Sequence, residues 1–300
     1  MKNIIKNNFL HAPAGKISEQ SLKNIRDDLN NYLKFKNSLT PEGRHKIHLL
    51  IPSIYDLSTD KEIIKNVESF TGSQSVLWYS VLFHKKKQSK LYIPWHYDDY
   101  FWNIDGEGCT VWVAVNDVDL DMGPMEFAFE KNVKGITHRV NNDPNNILSR
   151  GNIASYEPSF DTQIEKVPLK AGEYSIHSNK VMHRSGINTS EKDRLAFALR
   201  YISINSESRS FRLLKRGAVT NYDIKKNNCF YIEKKPKKTL KPLRSPDHIR
   251  SVFFSILVTF FGDTKRKLST KIFDFLKFIF FKILGFFGVK NKKDDKLNQG

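Results

Sequence analysis

The sequence predicts an α+β domain, mainly β, with its helices first and a β-sandwich or jelly roll after them. Three observations carry this expectation. Apolar residues recur at helical spacing through the first seventy positions. Short β-branched and aromatic runs, separated by Gly, Pro, Asn and Asp, then take over. Basic charge gathers in the last hundred residues instead of spreading over the chain.

The elements follow in order. Ile17, Leu22, Ile25, Leu29 and Leu33 make one helical face, with Lys and Asp opposite. Thr59-Asp60-Lys61-Glu62 reads as a capping box in which Thr59 and Glu62 each satisfy a free backbone donor. The helix it opens presents Ile63, Ile64, Val67 and Phe70, and Gly72 is placed to end it. Strands are expected at 76–83, 109–115, 125–129, 173–177 and 195–202. The helices occupy 1–75 and the jelly-roll core 76–205, so the domain spans 1–205. No internal repeat interrupts it.

Three hundred residues suffice for such a domain with an appendage. Two cysteines, Cys109 and Cys229, exclude a disulfide framework and a Cys-rich zinc fold. The N-terminal stretch has no apolar run of signal-peptide length, so a cytoplasmic location is expected. Residues 201–300 carry 23 Lys/Arg against 8 Asp/Glu, whereas 1–200 carry 26 against 24. A nearly neutral body thus leads into a basic connector (206–250), rich in Lys and Pro, and a tail (251–300) that holds 11 of the 22 phenylalanines. Lys267, Lys271, Asp274, Lys277 and Lys282 would form a narrow polar stripe on a helix whose remaining face is Phe, Ile and Leu. Its charges oppose a transmembrane path. An in-plane helix at an anionic membrane surface, through residues 251–293, is the expectation, which makes the protein peripheral at the inner face of a membrane. Packing of the tail on the body or on a partner protomer is the competing reading. Nucleic acid is not the expected partner, because the basic run lacks a reading module.

Chemistry is concentrated in two stretches. In Trp95-His96-Tyr97-Asp98, a strand would turn His96 and Asp98 to one side. Alone this is weak, since a His-x-Asp arises by chance in about every second chain of this composition. Met182-His183-Arg184-Ser185-Gly186 adds a second imidazole, and Arg194 follows eleven residues later across a turn-like segment, at the mouth of a strand. Two His and one carboxylate form the facial triad suited to Fe(II), which leaves three positions open. Arginine is the cation for anchoring a second carboxylate, because its planar fork makes two parallel charged hydrogen bonds.

From about residue 40 to 202 the chain resembles the phytanoyl-CoA dioxygenase family of Fe(II)/2-oxoglutarate oxygenases. The matching residues are His96-x-Asp98, Val111-Trp112-Val-Ala-Val115, Gly123-Pro124 and His183-Arg-Ser185 with Arg194. Two stretches, 43–50 and 146–151, also resemble bacterial members. The resemblance implies a double-stranded β-helix, a cupin-like jelly roll, behind N-terminal helices. It implies that His96, Asp98 and His183 bind iron and that Arg194, assisted by Ser185, holds the distal carboxylate of 2-oxoglutarate. Trp112 would line the co-substrate pocket. The implied cofactors are Fe(II), 2-oxoglutarate and O2, and the implied reaction hydroxylates a C–H bond while 2-oxoglutarate becomes succinate and carbon dioxide. Related halogenases lack the carboxylate ligand; Asp98 fills that place, which favours hydroxylation. Two departures stand out: Tyr97 separates the first ligands where many members have Gln, and Glu130-Lys-Asn-Val133 replaces a Pro-Gly-Ser-His turn.

The remaining polar residues read as structural. Asp117-Val-Asp-Leu-Asp-Met-Gly123 resembles a calcium loop, but Ala128 stands where a bidentate Glu is required, so these acids decorate a turn. His45 and His48 are structural, His84 and Lys85-Lys-Lys87 a solvated strand end, and His177 a packed residue two positions beyond Ser175. The aromatics around His96 are mostly core, with one or two left to wall an apolar pocket. The expected substrate is a small molecule or lipid-like. A catalytically silent jelly-roll binder and a protein side-chain hydroxylase are the alternatives.

Overall fold

The computed structural model describes residues 4–6, 9–102, 104–129, 137–148, 151–155, 157–159, 162–208, 216–217, 231–232, 235–242 and 272. Strands β1 (Ile4–Lys6) and β2 (Leu10–Lys16) come first. Helices α1 (Glu19–Leu33), α2 (Pro41–Arg44), α3 (Pro52–Ser58) and α4 (Lys61–Thr71) follow. Then come β3 (Ser75–Lys85), β4 (Ile93–His96), the short α5 (Asp98–Trp102), β5 (Ile104–Asp105) and β6 (Gly108–Ala114). The rest of the domain is β7 (Met125–Ala128), β8 (His138–Val140), β9 (Asn152–Ala154), β10 (Ile164–Val167), β11 (Glu173–Ser178), β12 (Met182–Ser185) and β13 (Arg194–Ser203).

Two antiparallel sheets face each other. The larger runs β1-β2-β11-β6-β13-β3 and the smaller β10-β7-β12-β4. This is the expected jelly roll. The period-two alternation of a strand decides which side chains enter it. Along β13, Phe197, Leu199 and Tyr201 join Val111 and Val113 of β6 in a cluster with Leu22, Ile25 and Leu29 of α1 and Ile63 and Val67 of α4. Ala196 and Ala198 point the other way, into a second cluster with Trp112 and Ala114 of β6 and Met125 and Phe127 of β7. The helices therefore cap the outer face of the large sheet. The inner face is left for the site.

The structure corrects the sequence expectations at three places. Residues 1–75 are not all helical: β2 pairs with β11, and Leu10 and Ala12 enter the inner cluster. The run Leu10-His-Ala-Pro-Ala-Gly-Lys16 has no β-branched residue, which removed the usual strand signal. The cap of α4 is Asp60, whose carboxylate accepts from the amides of Glu62 and Ile63 (2.9 and 3.2 Å). Thr59 instead donates back to Asp56 O at 3.1 Å, closing α3, and Gly72 ends α4 in the left-handed region as expected. Part of the basic connector docks on the helical layer. Leu240 N donates to Leu50 O (2.8 Å), Thr239 to Asp28 (2.9 Å), and Leu240 packs on the outer cluster. The expected tail helix lies outside the described residues apart from Ile272. Among the described residues no helix is long and apolar enough to cross a membrane.

Candidate active site

His96 is the last residue of β4 and Asp98 the first of α5. The two converge because the chain turns from strand to helix between them, and not because both lie on a strand as the spacing had suggested. His183 enters from β12, directly opposite His96 in the ladder. The imidazole centroids are 4.1 Å apart. His96 Nε2 stands 3.9 Å from Asp98 Oδ1, and His183 Nε2 stands 4.0 Å from Asp98 Oδ2. One donor atom from each residue lies within 4.8 Å of the others, and all three residues are buried. Among the described residues these three are the group of His, Cys, Asp or Glu side chains with metal-binding spacing.

Each of the three side chains is held from behind. His96 Nδ1 faces Pro94 O at 2.8 Å and His183 Nδ1 faces Val181 O at 2.9 Å. A carbonyl accepts only, so both rings carry their proton on Nδ1 and offer a bare Nε2 to the centre. Burial, then the neighbouring charge of the other imidazole, pulls His96 well below the usual histidine range; burial likewise lowers His183. For Asp98, burial alone would raise the carboxyl. The Arg200 guanidinium and the imidazoles of His183, His96 and His177 outweigh it and hold the group ionised. Arg200 Nη2 donates to Asp98 Oδ1 at 3.0 Å, and Thr110 donates to Oδ2 at 3.1 Å. Arg200 is not among the residues expected from the sequence. Its signal was the even spacing from Arg194, which puts both guanidiniums on the inner face of β13.

Trp112, Ser185 and Arg194 also come together. Arg194 is fully buried, its guanidinium lies over the Trp112 ring (5.5 Å to the centroid), and Nη1 donates to Gly123 O. Gly123 sits at φ 62°, and a Cβ there would fall 2.3 Å from Gly186 O, so the position admits glycine alone. The larger surprise is Lys85. Expected as part of a solvated strand end, it is fully buried, opposite Arg194 in the β3–β13 ladder. Its ammonium donates to Ser185 Oγ (2.7 Å), Ser185 O (3.2 Å) and Gly186 O. The run Lys85-Lys-Lys87 hid it; carrying the strand pairing out from Ala198 to Arg194 would have found it. Burial, then the charge of Arg194, pulls Lys85 well below its ordinary value. Burial brings the Arg194 guanidinium down to about 9, still charged at neutral pH. The acid whose charge reaches Lys85, Glu126, is already held by Arg184 through two hydrogen bonds (2.9 and 3.1 Å).

Of the aromatics near His96, Trp95, Tyr97 and Trp102 are core. Phe101 stands edge-on to His96 (6.2 Å) and Tyr100 is half exposed. His138 of β8, which the sequence reading did not single out, stacks on Tyr100 at 4.1 Å and accepts from Tyr97 N at 3.2 Å. Burial, with the nearby His183, pushes it down to about 4. His48 is structural, its Nδ1 2.6 Å from Ser80 Oγ. His84 is held by Asp193 at 2.7 Å and is not a free strand end. Asp117 and Asp119 sit in the turn after β6, facing Lys170.

The donor set fits a borderline divalent ion such as Fe(II): two neutral imidazoles and one carboxylate, with no thiolate among them. The other end fits a carboxylate. Arg194 Nε is buried with no hydrogen-bond partner, beside a second cation, the Lys85 ammonium, whose hydrogen-bond partners are all neutral oxygens. Ser185 is two residues beyond His183 on β12, so the two ends are about 7 Å apart along the strand. The inner face of β13 between them carries only Ala196 and Ala198.

The sequence profile of the phytanoyl-CoA dioxygenase (PhyH) family matches residues 16–196. Among solved structures, a non-heme monooxygenase, ThoJ, aligns with 83% of this chain and 92% of its own at 21% identity and a TM-score of 0.64. The epimerase SnoN, determined with Fe3+, alpha-ketoglutarate and a nogalamycin compound, aligns over 67% of this chain and 80% of its own (17% identity, TM-score 0.53). EctD from S. alaskensis, with 2-oxoglutarate and 5-hydroxyectoine, aligns over 72% and 80% (14% identity, TM-score 0.51). These likenesses carry the fold. No curated protein matches the sequence.

Proposed function

The chain belongs to the phytanoyl-CoA dioxygenase family of Fe(II)- and 2-oxoglutarate-dependent oxygenases, and from that premise we propose that it hydroxylates an unactivated C–H bond of a small-molecule or lipid-like substrate. The observation supporting this reading is the pairing of a three-ligand cluster with a two-cation pocket inside one barrel.

His96, Asp98 and His183 would hold the iron. Bound there with 2-oxoglutarate and O2, the metal supplies the oxidising chemistry that no side chain possesses. The remaining work belongs to the chain. Arg194 and Lys85 bind the distal carboxylate, with Ser185 fixing the Lys85 ammonium. Trp112 closes one wall beneath Arg194. Thr110 and Arg200 orient Asp98. Phe127, wholly buried beside His183, helps exclude water from the centre.

The test is anaerobic addition of Fe(II) and then 2-oxoglutarate to the full chain. The chelate gives a visible charge-transfer absorption, and substrate-dependent succinate then separates an enzyme from a silent binder. Absence of the band sinks the reading. We also propose that residues 251–293 bring the enzyme to an anionic membrane surface, on the strength of their Phe-rich, Lys-striped sequence. The full chain should then float with anionic liposomes and a chain ending near Ser206 should not; equal flotation removes the claim.

A further inference from the structure

Two polar side chains on β11 have no role in the scheme above. His177 is 1% exposed and Ser175 wholly buried. Both ring nitrogens of His177, and Ser175 Oγ, lack any hydrogen-bond partner. Lying two apart on one strand, they share a face, and the ladder fixes which. His177 is opposite Thr110, the residue that donates to Asp98; Ser175 is opposite Trp112, over which Arg194 lies. His177 therefore stands in the row of the metal ligands, its ring 4.9 Å from that of His183 and 5.0 Å from Phe127. Ser175 stands one row closer to the anchor. His177 is not part of the ligand cluster itself.

A packed residue at 177 would be better served by Phe or Leu, which would fill the same space against Phe127 without burying two polar nitrogens. Three unpartnered polar atoms on the inner face of one strand, on the same inner surface as the buried and unpartnered Arg194 Nε, point to a ligand that pairs them. His177 and Ser175 follow one another from the row of His96, Asp98 and His183 towards Arg194, the direction in which 2-oxoglutarate is placed under the proposed function.

We propose that His177 and Ser175 bind the α-keto acid end of 2-oxoglutarate by hydrogen bonds, so that the co-substrate is gripped at both ends. This rests on the proposed function. The two ends then do different work. Arg194 and Lys85 recognise any carboxylate at the right distance. His177 and Ser175 recognise the oxygens that 2-oxoglutarate has and succinate lacks in that arrangement, which favours co-substrate over product.

The test uses the full chain loaded with Mn(II), which binds without turnover, and titrates 2-oxoglutarate and succinate by calorimetry. His177→Phe is expected to weaken 2-oxoglutarate about tenfold or more and succinate less than about twofold. His177→Gln, which retains a donor, should recover to within about threefold of wild type. Ser175→Ala, a change small enough to leave folding intact, should weaken 2-oxoglutarate severalfold and spare succinate. Mn(II) affinity, read by electron paramagnetic resonance, should not move. Equal 2-oxoglutarate affinity in wild type, His177→Phe and Ser175→Ala overturns the proposal and leaves the proposed function standing. So does an equal loss of both acids, or a fall in Mn(II) affinity, which would make His177 a structural or metal-binding residue. A wild-type chain that binds no 2-oxoglutarate overturns the proposed function first.

Discussion

The two ends of the barrel solve opposite electrostatic problems. At the ligand cluster the one negative charge, Asp98, is already countered by Arg200, and each imidazole is fixed from behind by a carbonyl. At the anchor, Lys85 and Arg194 face each other across neighbouring strands with neutral oxygens as their hydrogen-bond partners. The first end is stable as it stands and accepts a cation on its free nitrogens. The second stores like-charge repulsion and desolvation that only an anion relieves. Under the proposed assignment, affinity for the metal would be a matter of orientation, and affinity for the distal carboxylate of the co-substrate a matter of charge.

Breaking the first end has the largest effect. Asp98→Ala removes a ligand and leaves Arg200 without its counter-charge beside two buried imidazoles. Succinate formation should vanish, and Mn(II) affinity should fall by more than the roughly 10–100-fold typical of losing an outer-shell partner. Retention of wild-type metal affinity in this variant would remove Asp98 from the ligand set.

Acid should separate the ends next. His96, His177 and His183 are buried and lowered from the ordinary value near 6.5. Unfolding the metal-free protein therefore takes up protons below that pH. Stability is fully present above about 6.5 and falls as pH drops below it, at about 1.4 kcal/mol per pH unit for each of the three rings. Metal should flatten this limb. The anchor acts in another window: Lys85 is lowered from 10.5, so its burial costs stability below that value and the cost fades as pH rises towards it. Chemical denaturation across pH, with and without metal, checks both limbs.

Lys85→Met sharpens the contrast. The unpaired ammonium is costly in the empty protein, so an apolar side chain of similar length should raise metal-free stability by about 1–2 kcal/mol and erase the alkaline limb. The same change should weaken 2-oxoglutarate about tenfold, because one of the two cations is gone. A variant that is neither more stable nor a weaker binder would take Lys85 out of the anchor.

How far the sequence disclosed this follows from what each feature depends on. The jelly roll was readable because its strands, β6 and β13 among them, are short runs rich in β-branched and aromatic residues set between turn residues; which side chains face which way, Phe197, Leu199 and Tyr201 against Ala196 and Ala198, came from the structure. That His96, Asp98 and His183 converge was readable because two imidazoles and a carboxylate in this pattern suit one metal site. Lys85 was not, since a buried cation and a solvated one look alike in one dimension and only strand register tells them apart; Arg200 had a weaker signal, its even spacing from Arg194 on one strand. The N-terminal strand was hidden for a related reason: β2 is held by the ladder to β11 and has little intrinsic β preference. His138 lies ten residues beyond the end of β7 in the chain, and no local pattern ties it to His183 or Tyr100.

Ser185→Ala is the finest cut, because it touches the anchor without changing its charge. Ser185 Oγ is one of three oxygens around the Lys85 ammonium, and Ser185 O and Gly186 O belong to the backbone and stay. Losing one acceptor of three frees the ammonium to swing but leaves it partnered, so the cost is about 1 kcal/mol, or roughly fivefold in 2-oxoglutarate affinity. Lys85→Met and Ser185→Ala combined should then cost little more than Lys85→Met alone, since the hydroxyl acts only through the ammonium. Full additivity in the double variant would mean that Ser185 touches the co-substrate itself, and the anchor would then be a three-residue clamp instead of two cations and a brace.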